Sequence, residues 1–557
     1  MKQVLLLLLF TLPTLSWADL PWEYFYEWTE NVYEIPQKNS GVLDITSIGT
    51  FGDTGIDISA DMKQLFVDYP EYDSIYFPAG IYSFNSRLEI PSGKTIYGEG
   101  TQTVFVFNVE NSPCVSVTGA IVKTIELNRS VTSNTTTFSL NAKGLKVGQT
   151  VRITSDDTGL VTSNWAKGSV LEWNKITFIN SDSTEITLEN PLTRDRPKSD
   201  NPKIIVSSLA SNVELSSIKI IRIDPTESQT SNILLSNAEN CKLSCIESES
   251  TNFAHIDIRF SRNIEVSGSY MHGAHAFGGG GQGYGVVLQF GTTNCVVSGN
   301  IFDTLRHSIL LQAGAHGNVI SGNYSANPFW TDVLLPEDSA GDLVLHGNWV
   351  HRNLFQHNIV QNIVIDNSHG MNGPYNTFFR NRAENYGLFM NNNPASDNQI
   401  FIGNEITGNG FLKGLFNLAG DQFYVNGNIV KGGIVPENGE IIDLPASLTD
   451  GTISDITKPW IGDITNYPYA IIPSEKRYLK EIETLCEFDK VASVIPNKYT
   501  PSNLETIDLR SAIEITKDTP YKLINIVGKE FKNFNKLSNG IYFLNVKQKT
   551  YKFFIQK

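Results

Sequence analysis

Cysteine, methionine and positive charge are all scarce in this 557-residue chain. The five cysteines (Cys114, Cys241, Cys245, Cys295 and Cys486) are too few and too scattered for a disulfide framework. Cys241 and Cys245 stand four apart, roughly 13 Å along one strand at about 3.3 Å per residue, which is beyond disulfide reach. All five read as small buried apolar residues, and no metal site is expected from them. Lys and Arg total 43 against 58 Asp and Glu, a net charge of -15. Phosphate binding wants a basic face, so nucleic acid is excluded as a partner. A strongly anionic substrate would need its own local basic pocket. Long apolar runs are also missing. Only Val4–Phe10 qualifies as a short one, and nothing later reaches 18 residues, so no transmembrane helix is expected in the mature chain.

That one apolar run follows Lys2 and leads to Ser16-Trp17-Ala18, the layout of a secretory signal peptide. The mature protein is therefore expected to be soluble and exported.

The most informative positive feature is a row of asparagines. Asn300, Asn323, Asn358, Asn381, Asn404 and Asn428 are separated by 23, 35, 23, 23 and 24 residues. Each of the first five closes a similar phrase, such as Asn318-Val-Ile-Ser-Gly-Asn323 and Asn376-Thr-Phe-Phe-Arg-Asn381. A period in the twenties with short β-rich segments and Asn/Gly turns signals a stacked β-solenoid. The long interval is one regular coil carrying an insertion of about 12 residues, and insertions go to faces and rims where sites are built.

Residues 44–100 add a second signal. Asp44-Ile-Thr-Ser-Ile-Gly49-Thr-Phe-Gly52-Asp53-Thr-Gly55-Ile-Asp57 precedes a short helical stretch, Ile58–Val67. Ile75-Tyr-Phe-Pro-Ala-Gly80-Ile-Tyr82, Leu88-Glu-Ile-Pro-Ser-Gly93 and Ile96-Tyr-Gly-Glu-Gly100 follow. This stretch resembles the entry module of the pectate lyase superfamily of right-handed parallel β-helices, of the rhamnogalacturonase and epimerase kind. The resemblance implies a capping helix, a solenoid and action on an extracellular polysaccharide. The acidic residues after Gly55 are spaced differently from the family pattern, so Asp53 and Asp57 are read as turn residues. The family's calcium-dependent lyases use aspartate clusters. No such cluster stands on neighbouring coils, so no metal ligand is assigned, and calcium stays open as a cofactor.

The last segment carries Leu537-Ser-Asn-Gly540-Ile-Tyr-Phe-Leu-Asn-Val546 and Tyr551-Lys-Phe-Phe-Ile-Gln-Lys557. It resembles a type IX secretion sorting domain, although the family's proline-asparagine opening is missing. That resemblance implies a Gram-negative bacterium, passage through the type IX machinery, and release or anchoring at the cell surface. The expected fold class is all-β. The expected layout is a signal peptide (1–18), an arm (19–43), the β-helix entry and cap (44–119) and a β-rich insertion (120–210). The parallel β-helix (211–433), an edge cover and linker (434–500) and a sandwich-like sorting domain (501–557) complete it.

Candidate chemistry comes from aligning strands. Tyr284–Gln289, Arg306–Gln312, Gly341–His346, Asn362–Asp366 and Tyr386–Asn391 each end in a polar side chain. Stacked at about 4.8 Å per coil, Gln289, Gln312, His346, Asp366 and Asn391 would form one polar column. His346 and Asp366 would be neighbours, an arrangement that fixes the imidazole tautomer and suits acid-base work. The same column would also serve as a purely structural hydrogen-bonded ladder. Strict alternation puts Asp342, Val344, Arg306, Ser308 and Gln312 outward with His346, and His307 in the core. An apolar outward row of Val287, Leu310, Val344, Val364 and Phe389 then needs a cover.

Two inserted segments flank these strands, Met271–Gly283 and Phe329–Ser339. Phe329 and Trp330 are placed either to stack on sugar rings or to pack their own loop. His369, in Asp366-Asn-Ser-His369-Gly-Met-Asn-Gly-Pro374, sits at the edge of the same region. Three functions compete. A lyase acting on a uronate-containing glycan would use His346 as base and Arg306 to neutralise the carboxylate, with Gln289, Gln312, Trp330 and His369 binding substrate. Flat-strand geometry, however, separates Arg306 from His346 by roughly 20 Å. A glycoside hydrolase needs two carboxylates about 5–9.5 Å apart, and the same geometry puts Asp342 and Asp366 about 14 Å apart. Asp366 with Asp332, Glu337 or Asp338 stays open. A non-catalytic surface glycan binder is the third.

Overall fold

A computed structural model describes residues 41–278, 281–329, 340–435, 448–449, 472–479, 505–506, 521–525, 530–531, 540–546 and 549–555. The expected signal peptide, most of the expected arm and most of the expected edge cover lie outside these residues.

The chain forms a right-handed parallel β-helix with three faces. One coil runs through Arg262–Ser267 on the first face, Tyr270–His272 on the second and Tyr284–Gln289 on the third. The next runs through Val296–Ser298, Ile301–Asp303 and His307–Leu311, each parallel to its counterpart. The short strands follow from the sequence. Valine, isoleucine and leucine favour the extended chain, and each corner has a residue that leaves it. Gly299, Gly322 and Gly403 stand in the left-handed region just before a ladder asparagine, where glycine costs least.

The asparagines turn the corner between the first two faces. Each donates Nδ2 to Oδ1 of the next, from Asn300 through Asn323, Asn358, Asn381 and Asn404 to Asn428, at 2.8–3.0 Å. Asn318, Asn353, Asn376 and Gln399 build a second ladder at the corner between the third and first faces. Inside, one hydrophobic core runs from Leu43 to Ile406 and includes stacked Phe355, Phe378 and Phe401. The helix Ser59–Asp68 closes the entry end with Met62 and Leu65. Asp53 and Asp57 accept backbone N–H groups of Ile81, Ser59 and Asn85, so both are turn residues. At the other end the antiparallel pair Asn428–Val430 and Gly433–Val435 finishes the last coil.

Between the strand Val115–Thr118 and the resumed coils lies an antiparallel six-stranded sheet, Ala120–Glu126 to Lys203–Ser208, with its own apolar core. It leans on the solenoid at the C-terminal ends of the third-face strands. Trp173 Nε1 donates to the Gly291 carbonyl, and Thr162 N–H donates to Asn348 Oδ1. The helix Pro473–Tyr478 docks at the corner of the first two faces, where Ser474 donates to the Gly322 carbonyl. Near the C-terminus, five strands form one sheet in which Gly540–Val546 pairs with Lys549–Ile555 and Tyr521–Asn525. No helix among the described residues is long and apolar enough to cross a membrane.

The expectation of five unpaired cysteines fails at one position. Cys114, Cys241 and Cys295 are free and buried, but Cys245 is disulfide-bonded. Spacing along one strand excluded a bridge to Cys241 and was silent about distant partners.

Candidate functional site

The third face gathers the titratable groups. Leu288 faces Leu311 and Leu311 faces Leu345, so Gln289, Gln312 and His346 stand on successive coils. His346 is paired directly with Asp366, and Ile365 with Met390, which puts Asn391 above. The column is hydrogen-bonded from below: Gln289 Nε2 donates to Asp257 Oδ1 and Gln312 Nε2 to Gln289 Oε1, both at 2.7 Å.

His346 Nδ1 contacts Asp366 Oδ2, and both side chains are largely but not wholly buried. The Ser368 N–H and hydroxyl donate to Asp366 at 2.7 and 2.9 Å. Burial pushes the Asp366 carboxyl up, but hydrogen bonding and charge from His346, with the Ser368 donors, hold it well below the usual carboxylate range. Asp366 is therefore a fixed anion. It orients His346 and leaves Nε2 as the imidazole nitrogen for another partner.

Part of the outward apolar row packs as a cluster of its own. Val287, Leu310 and Val344 form a separate cluster with Phe253, Ala254 and Tyr284, outside the main core. Alternation fails at the strand entrances, where two successive residues turn inward. Ser308 bonds Ser325 inside the coil, so His307 comes out beside Tyr284 rather than entering the core. The His307 ring lies 6.1 Å from that of His346, far closer than flat-strand spacing allows, because the side chains at the two ends of the face converge. Nδ1 of His307 is 2.9 Å from the Gly341 carbonyl, which can only accept, so Nδ1 carries the proton and Nε2 is the free acceptor. Burial, with the charges of His346 and Arg306, pushes its pKa down to about 3, so it is neutral.

Arg306 joins this cluster. It donates to the Gly278 carbonyl at 2.7 Å and lies 5.9 Å from the Tyr284 ring. Burial raises the Tyr284 hydroxyl pKa, with Arg306 and Asp366 acting in opposite senses.

Asp342 is corrected. It is wholly buried at the inner corner between the second and third faces, and its Oδ2 accepts the Gln361 and Asn362 N–H groups at 2.7 and 3.0 Å. It pairs in register with Ser308, the other residue where alternation breaks, and does not share a surface with His346. Trp330 lies outside the described residues, as do Asp332, Glu337 and Asp338. Phe329 stacks on Phe277 of the glycine loop at 4.3 Å.

His369 stands 4.8 Å from the His346 ring, in a T-shaped contact. Its Nδ1 is 3.1 Å from Ser163 Oγ, and Trp165 meets its ring at 5.2 Å. Ser163 and Trp165 belong to the inserted sheet, about 200 residues away in sequence, so strand alignment had no means to find them. His307 was visible in the aligned strands but was assigned by an alternation that the corner breaks, and Tyr284, which opens an aligned strand, was given no role.

One described group brings three metal-binding atoms within 4.8 Å, namely Glu247, Glu249 and His272 on the second face. Lys219 Nζ stands 2.5 and 2.7 Å from the two carboxylates and already neutralises them. These residues therefore fit a salt-bridge cluster better than a calcium site. An open pocket of about 530 Å³ lies on the inserted sheet near Leu140 and Asp182, and no candidate residue lines it.

No family model matches this chain, and no curated protein matches it. Solved structures do. The Gp54 tailspike of Acinetobacter baumannii bacteriophage AP22, in complex with capsular saccharide, is 15% identical with a TM-score of 0.50, over 69% of this chain and 66% of that one. The Pseudomonas phage phi297 tailspike gp61 is 14% identical with a TM-score of 0.47, over 68% and 66%. An exopolygalacturonase from Thermotoga maritima is 10% identical with a TM-score of 0.35, over 71% and 81%. The chain thus spans just under two thirds of each tailspike. At such identities the likeness is one of fold, that of the right-handed parallel β-helix proteins.

Proposed function

We propose that this protein acts on an extracellular polysaccharide and that the reaction is β-elimination on a uronate-containing glycan. The observation that carries the reading is the convergence of Arg306, Tyr284, His307, His346 and Asp366 on one face. In this scheme Nε2 of His346, oriented by Asp366, takes the C5 proton. Electrons form the C4=C5 double bond, the C4–O bond breaks, and the leaving oxygen acquires a proton. Arg306 neutralises the substrate carboxylate, and Tyr284, which keeps its proton, stands near as a donor. Gln312 and His369 line the approach as binding residues, while Gln289, buried and bonded to Asp257 and Gln312, holds Gln312 in place.

A hydrolase is less well supported, because Asp342 turns inward and Asp366 has no second carboxylate beside it among the described residues. Export is part of the proposal. The signal-like N-terminus, the sorting-domain resemblance and the Cys245 disulfide all suit an oxidising compartment and type IX passage in a Gram-negative bacterium.

The test is incubation with a broad uronan panel, reading absorbance of the unsaturated product and product mass. An unsaturated product is expected. A hydrated product on cleavage would transfer the site to hydrolysis, and no product from any uronan would sink the lyase. Asp366→Asn should lower the rate at least about 100-fold, since acid-base groups contribute roughly 10²–10⁴.

A further inference from the structure

The inserted sheet carries several large apolar side chains in the open, among them Val122, Val147, Trp165 and Phe178. Of these four, Trp165 is the one that packs against other aromatic rings. It is 45% exposed, yet it meets His369 at 5.2 Å and Phe290 at 5.8 Å, both T-shaped. His369 in turn touches His346, so the open indole is two ring contacts from the reacting imidazole.

Its backbone is held as firmly as its ring. Trp165 is the middle residue of the one-turn helix Asn164–Ala166, whose Ala166 is fully buried. The two residues before that helix donate their N–H groups to Asn348 Oδ1, at 2.9 and 3.2 Å, and Asn348 is a buried residue of the solenoid. A tryptophan loses little entropy on binding when two rings and a tethered turn have already fixed it. Exposed apolar area of this size, beside polar hydrogen-bonding groups, is the composition of a small-molecule or glycan subsite. If Trp165 served only to join the insertion to the solenoid, nearly half of it would not stay in water.

We propose that Trp165 is a sugar-stacking subsite, on which the apolar face of a pyranose ring rests next to the ring handled by His346. The inserted sheet then does more than decorate the solenoid: it supplies one wall of the binding site, and Ser163, through His369, fixes that wall to the chemistry. The substrate class, an extracellular glycan, rests on the function proposed above, but the platform itself does not depend on which bond is cleaved.

The experiment uses the full chain, with calorimetry and steady-state kinetics on the same polysaccharide panel for wild type, Trp165→Ala, Trp165→Phe and Phe178→Ala. Trp165→Ala should weaken binding and raise KM about tenfold or more, with kcat within about threefold, because a stacking contact is shared by ground and transition states. Trp165→Phe should fall between, and Phe178→Ala should match wild type. Circular dichroism and the retained ring of Trp165→Phe separate a lost contact from a lost fold. Trp165→Ala binding and turning over like wild type would overturn the subsite, as would a fall in kcat with KM unchanged. Wild type that binds a glycan without cleaving it removes the reaction but not the subsite, which the Trp165→Ala dissociation constant still decides. Wild type that binds no glycan at all overturns the subsite as well.

Discussion

Asp342 and Asp366 are one coil apart and have opposite environments. Asp366 has a histidine and two serine donors, and its carboxyl is held low. Asp342 is wholly buried with two backbone donors on one oxygen, and burial, only partly offset by these donors and the Ser325 hydroxyl, pushes its pKa up to about 7. The pH consequence follows from linkage. Between its unfolded value near 4 and its folded value, Asp342 holds a proton in the folded chain that the unfolded chain has released. Stability contributed by this site is therefore fully present below about pH 4 and falls as pH rises towards 7. Asp342→Asn keeps an acceptor for the Gln361 and Asn362 N–H groups and has no proton to lose. It should raise stability at pH 8 by up to about 4 kcal/mol relative to its effect at pH 4. Urea unfolding of both proteins at the two pH values checks this, and equal differences at both would contradict it. The sequence showed that an acid stood here, but not which way it pointed, because the two inward residues at the strand entrance break the alternation that assigned it.

The asparagine ladder is the element most legible from sequence, since a buried amide that must bond its neighbour above and below can be replaced by little else. Spacing alone therefore located the coils, their register and the pairing of His346 with Asp366. Spacing could not show convergence of the side chains across the third face, because strand arithmetic assumes a flat ribbon; the His307 and His346 rings are 6.1 Å apart although their strand positions are not. The ladder also makes a graded prediction. Asn358 Oδ1 accepts Asn323 N–H and Nδ2, while its own Nδ2 donates to Ile320 carbonyl and Asn381 Oδ1. Asn358→Ala leaves four buried groups short of a partner, at about 1–3 kcal/mol for each one left fully unsatisfied. Asn428 supports Asn404 N–H and Nδ2 and donates to Phe401 carbonyl, but no further rung follows it among the described residues. Asn358→Ala should cost about 3 kcal/mol or more and Asn428→Ala distinctly less, read as the shift in denaturation midpoint. A terminal rung costing as much as a central one would mean that the amides do not act as a stacked series.

At the scale of the whole molecule, local patterns lose their reach. The inserted sheet was readable as β-rich from Leu145–Ile153 and Ile176–Leu188, yet its lean against the third face is set by contacts between residues 118 to 206 positions apart. The disulfide is the same kind of fact. Cys245 follows Ser244 at a corner, in the left-handed region, and its local spacing to Cys241 gave no hint of a bond. A bridge closing a long loop restrains the unfolded chain and typically contributes about 2–4 kcal/mol. It also reports the compartment, because stable disulfides form outside the reducing cytosol. Of the four described cysteines three are free and Cys245 is disulfide-bonded, so the denatured but unreduced protein should titrate fewer thiols than the five found after reduction. The three free thiols should be silent before denaturation, since Cys114, Cys241 and Cys295 are buried and burial pushes each thiol pKa up, to about 12 for Cys241 and Cys295. Protein recovered from an oxidising compartment should show this count directly, and the same chain made in a reducing cytosol should show five and a lower melting temperature. Five titratable thiols in exported protein would remove the disulfide, and with it one of the supports for export.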